Sequence, residues 1–212
     1  MGFCTNWPAD QKGRIWPFGA LMGQKPRHLK FSEANRVTSP KGFDMSAFFA
    51  AIDARRREEH LTWPALTTTI WEQSSVLNKR CNDHPISPAT VRKLGERGDL
   101  SCQHALFLLR WLGVPPETFI AEPQPGTAGV ALPLADEAHR LRWNLSKLYH
   151  TLNAARTGRG ATWEQAAKRL HCTANQLTNL RIAKFAISMR LAMRITQALR
   201  RTAADFVDVA EW

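Results

Sequence analysis

An internal repeat limits this chain more than any other feature. The segment Phe49 to Trp63 aligns with Tyr149 to Trp163 at an offset of 100, with Thr-Trp matching outright. Further on, Leu112 to Phe119 aligns with Leu199 to Phe206 at an offset of 87. The first copy is therefore longer by 13 residues, and the excess falls between Ile70 and Ser87. A chain of 212 residues then divides into two related helical units of about 65 residues each, with segments around them.

Punctuation in the sequence sets the boundaries. Residues 1–42 hold Pro8, Pro17, Pro26, Pro40 and five glycines and sustain no helical or strand period, so they read as a flexible basic tail. From Phe43, the apolar positions Phe48, Phe49 and Ile52 mark a helical face, with Asp44 as a plausible N-cap. Pro123, Pro125, Gly126, Gly129 and Pro133 interrupt the pattern between Ala121 and Arg140, which reads as a linker. Helical pattern resumes at Leu141. No strand-like alternation stands out. The expected architecture is all-α: a tail over 1–42, a first domain over 43–120 with an insertion at about 71–86, a linker over 121–140, and a second domain over 141–212.

Charge narrows the partners. Lys and Arg number 29 against 18 Asp and Glu, a formal net charge of +11 that favours polyanions. No apolar run reaches the roughly 20 residues that span a bilayer, so no membrane partner is expected. Met1 to Ala20 carries Asp10, Lys12 and Arg14 where a secretory signal would be apolar, and four scattered cysteines suit a reducing compartment; the expectation is cytoplasmic.

The second copy carries the clearest local signals. Thr162-Trp-Glu-Gln165 is a capping box, and Thr173-Ala-Asn-Gln176 is another. Between them His171 and Cys172 form a turn, and Cys172 with Leu177 makes a hydrophobic staple. Two short helices joined by a tight turn is the unit that fits a major groove. On the second of these helices Leu177 and Leu180 face inward. Asn175, Thr178, Asn179 and Arg181 face outward and are base-reading types, with Asn suited to adenine and Arg to guanine. Gln176 is shared with its cap, and Lys184 suits a phosphate. The competing reading is a solvated helix face and nothing more.

The first copy keeps the frame with poorer reading chemistry. Ser87 and Pro88 start a helix, Ile86 and Val91 repeat the staple, and Val91 and Leu94 match Leu177 and Leu180. The exposed positions are Ala89, Thr90, Arg92 and Lys93, where the cations suit phosphates better than bases.

Both units resemble lambda-repressor-like helix-turn-helix domains of the Xre type. The runs Ala105 to Phe119 and Met189 to Phe206 look like that family's closing helices, and the resemblance covers roughly Asp44 to Phe119 and Leu145 to Val207. It implies a bacterial, nucleoid-associated regulator binding double-stranded DNA, with a homodimer as an option. Ala89 to Lys93 and Thr173 to Arg181 would face DNA, and Thr162, Trp163 and Gln165 would lie near phosphates. The inserted segment and the tandem arrangement depart from the family's common pattern. The alternatives are an antitoxin-like or scaffold interaction module with the same architecture, and an RNA binder.

No nucleotide fingerprint, nucleophile elbow or zinc-protease motif is present, so no enzyme and no cofactor is expected. Cys81, His84, Cys102 and His104 are the only zinc candidates. The second pair is badly spaced for it, and Ser101 marks a helix start there.

Overall fold

All but one of the α-helices described start where a side-chain oxygen caps the first amides, the exception being a four-residue helix after Lys93. The computed structural model describes residues 42–73, 86–127, 129–182 and 187–212, which belong to one compact unit. The expected tail, most of the insertion, Lys184, Cys81 and His84 lie outside the described residues. Helix α1 (Met45–Glu58) is capped by Asp44, α2 (Trp63–Glu72) by Thr62, α3 (Pro88–Arg92) by Ser87 and α5 (Cys102–Leu112) by Ser101. A four-residue helix, α4 (Leu94–Arg97), follows α3, and a 3-10 turn (Pro116–Phe119) closes the first copy. The second copy runs α6 (Leu145–Thr157), α7 (Trp163–Leu170), α8 (Ala174–Thr178), a 3-10 turn (Asn179–Ile182), α9 (Met189–Leu199) and a second 3-10 turn (Ala203–Phe206). Asn144, Thr162, Thr173 and Ser188 cap its helices.

The repeat recurs bond for bond. Asp44 donates its N–H to the carbonyl of Phe119 at 2.8 Å, and Asn144 donates to Phe206 at 2.8 Å. Arg56 donates to Asp53 and to the carbonyl of Leu61 while lying over the Trp63 ring. Arg156 does the same with Asn153, Ala161 and Trp163. The far faces of the two indoles stack on Phe49 and Tyr149, with ring centroids 5.6 Å apart in both copies. These cages stop each second helix from sliding on the first.

The fold is mostly helical, not all-α. Strand β1 (His139–Trp143) pairs antiparallel with β2 (Val207–Glu211), His139 opposite Glu211 and Trp143 opposite Val207. The strands are five residues each, and β1 buries only Leu141 and Trp143 of its five. So short an alternation is invisible unless the partner, some 68 residues away, is known. Helical structure consequently begins at Leu145, later than the pattern suggested. The segment read as a linker is fastened at both ends. Gln124 donates its N–H to Gln197 Oε1 on α9 at 2.7 Å, and Arg110 of α5 donates to the carbonyls of Ala135, Asp136 and His139.

The buried residues form one continuous core through both copies, from Phe43 and Phe48 through Leu106 and Leu109 to Met193, Ile195 and Phe206. Phe43, Phe48 and Phe119 meet edge to face within it. Among the described residues no helix is long and apolar enough to cross a membrane.

Candidate nucleic-acid interface

The second copy holds its polar edge away from the body of the protein. Leu177 and Leu180 are fully buried, whereas Thr173, Asn175, Gln176, Asn179 and Arg181 are exposed and Thr178 is half-buried. The leucines face the core because positions three apart share one side of a helix. The chain departs from a continuous helix, however. Helix α8 ends at Thr178, and Asn179 to Ile182 tighten into a 3-10 turn, so Asn179 and Arg181 stand on a narrower winding than Asn175.

Caps fix the angle of this edge. Gln176 Oε1 accepts the N–H of Thr173 at 2.9 Å, and Thr173 Oγ1 accepts the N–H of Gln176 at 3.2 Å. Thr162 and Gln165 form the same box at α7, with bonds of 2.8 and 3.3 Å. The glutamine oxygens are thus committed to backbone amides. At the turn, His171 takes a left-handed backbone, φ 52°. Arg194 of α9 reaches across to the carbonyls of Leu170 and His171 at 3.4 and 3.3 Å, covering carbonyls the helix leaves open. Arg194 escaped the sequence reading because its role depends on α9 folding back against α7.

The remaining candidates fall in different places. Trp163 is half-buried, with its ring stacked on Tyr149 and under Arg156, so it packs within the second copy. In the first copy Ala89, Arg92 and Lys93 are exposed. Thr90 is half-buried, with its hydroxyl against Ser87 Oγ at 2.9 Å. Of the three consecutive arginines 55–57 at the end of α1, Arg55 and Arg56 are packed. Arg55 lies over Trp111 and donates to its carbonyl, and Arg57 alone of the three is mostly exposed.

Charge around the edge is one-sided. From Gln165 to Ala204 the sequence contains no Asp or Glu and eight Lys or Arg, with Lys168, Arg169 and Arg181 exposed. That run was legible in the sequence as charge patterning; on the described surface it places Lys168 and Arg169 on α7 and Arg181 just past α8, with Glu164 as the acidic residue of the first turn of α7. The matching part of the first copy is interrupted by Glu96 and Asp99.

Cys102 is fully buried and burial pushes its thiol up to about 12, so it stays protonated as a core residue. Among the described residues no cluster of His, Cys, Asp and Glu is arranged to hold a metal. No protein family, curated protein or solved structure matches this chain.

Proposed function

We propose that the chain binds double-stranded DNA sequence-specifically and acts as a transcriptional regulator, with two helix-turn-helix units in one molecule. The observation that carries this reading is the edge opening at Thr173. It is polar and exposed, backed by two buried leucines, held in angle by a capping box, and set in a stretch without acidic residues. A purely structural helix end has no need of Asn175, Asn179 and Arg181 together on its free side. These are the side chains that make paired hydrogen bonds to adenine and guanine edges. Lys168 and Arg169 supply phosphate contacts, which fix register and provide much of the affinity. Arg92 and Lys93 add to this from the first copy and, as side chains that also pair with guanine edges, give that copy a weaker base preference of its own.

The test is selection of bound duplexes from a random pool with the full chain, followed by the double substitution Asn179→Ala and Arg181→Ala. Both positions are exposed, so folding stability should change by less than about 0.5 kcal/mol. Preference for the selected duplex over random DNA should disappear, while salt-sensitive binding to any duplex persists. Unchanged preference, or tighter binding to structured RNA competitor, would sink the proposal.

A further inference from the structure

The two copies meet face to face through equivalent residues. Ser101 and Ser188, the N-caps of α5 and α9, form an isolated antiparallel bridge, and they occupy the same repeat position at the offset of 87. Cys102 donates its N–H to the carbonyl of Ile187 at 2.7 Å, and Met189 donates to Leu100 at 2.7 Å. Exchanging the copies turns one of these bonds into the other. The equivalent closing 3-10 turns also meet, through a bond with no mate in the other copy: Ala203 donates its N–H to Glu117 Oε1 at 2.6 Å. Positions 116 and 203 are equivalent, as are 117 and 204. Beside them, Gln103 of α5 donates to the carbonyl of Leu141 on β1, a further bond between the first copy and the strand that opens the second.

Repeats merely strung along a chain pack unlike surfaces together, back to front. Here each surface meets its own equivalent, the signature of a two-fold axis in a symmetric dimer. We propose that the chain is a dimer fused into one molecule, and that a single chain reads an inverted pair of unlike half-sites. This rests on the DNA-binding reading above. The α3–α4 and α8 edges are related by the half-turn. A duplex lying across the axis therefore meets them with opposite strand polarity, which makes the half-sites inverted and not directly repeated. The half-sites differ because the edges differ. One presents Asn175, Asn179 and Arg181, and the other presents Ala89, Arg92 and Lys93.

The experiment takes the duplex enriched by the full chain and rebuilds it in three forms: both halves inverted, the second half turned to a direct repeat at the same spacing, and the second half scrambled. Affinity is measured at fixed salt, and native mass spectrometry counts chains per duplex. Expected are one chain on the inverted duplex and binding about tenfold tighter than to either other form. The double substitution Arg92→Ala and Lys93→Ala should reduce that advantage while leaving selection of the strong half intact. Equal affinity for inverted and direct forms, or two chains per inverted duplex, overturns the fused-dimer reading while DNA binding stands. Failure to enrich any duplex overturns both.

Discussion

Arg56 and Arg156 show how much one side chain can specify. Each guanidinium grips an Asp or Asn one turn back, closes on a carbonyl five residues ahead and covers an indole face. Replacing Arg156 with Ala should cost about 2 kcal/mol of folding stability, read by denaturant unfolding, because bonds and ring contact are lost together. Glu117 sits buried between the copies, one oxygen on the Ala203 amide and the other, Oε2, without a partner among the described residues. Burial raises its pKa, so the folded state favours the protonated acid. Stability contributed by that proton is complete at low pH and is lost as pH rises from the ordinary carboxylate range, about 4.3, through the raised value. The prediction for Glu117→Gln, which has no carboxylate to ionise, is therefore a stability that improves relative to the parent as pH rises from 4 to 7. A constant difference would contradict it. The duplicated Thr-Trp was legible in the sequence. The arginine cage around it was not, because its third wall, Phe49 or Tyr149, lies on another helix.

At the scale of the element, helix ends dominate. Helix α8 has only five residues, far too few to hold itself together, so its caps and buried leucines must do so. Thr173→Ala should cost about 1 kcal/mol and also weaken discrimination between duplexes, since the edge loses its set angle. The copies exchange residues at left-handed helix ends. His60 (φ 55°) stands where the second copy has Gly160 (φ 62°), and Arg200 (φ 56°) where the first has Gly113 (φ 70°). Glycine takes this conformation without the Cβ clash that other residues suffer. His60→Gly and Arg200→Gly should each raise unfolding stability by up to about 1 kcal/mol, measured by thermal or denaturant melts. Capping boxes and serine N-caps could be read directly because each lies within four residues of chain. Strands β1 and β2 could not, because their pairing joins distant segments.

In the whole molecule the two copies share one core, and the connecting segment is tied to both. Cleaving the chain at a protease site engineered at Leu134, which is 96% exposed, should leave the halves associated in gel filtration. They should still bind the selected duplex, because the interface and not the covalent link holds the copies. Separation of the fragments would show the reverse. The sequence by itself determined the duplication, the helix starts, the short helices with their turn and the polar edge that α8 presents. All of these follow from hydrogen bonds and apolar spacing within a few residues. Only the tertiary structure decided that equivalent serines face one another, that β1 and β2 close a sheet and that Arg194 braces the turn. Such contacts are chosen by competition among surfaces far apart in the chain, and no local propensity encodes which surface wins.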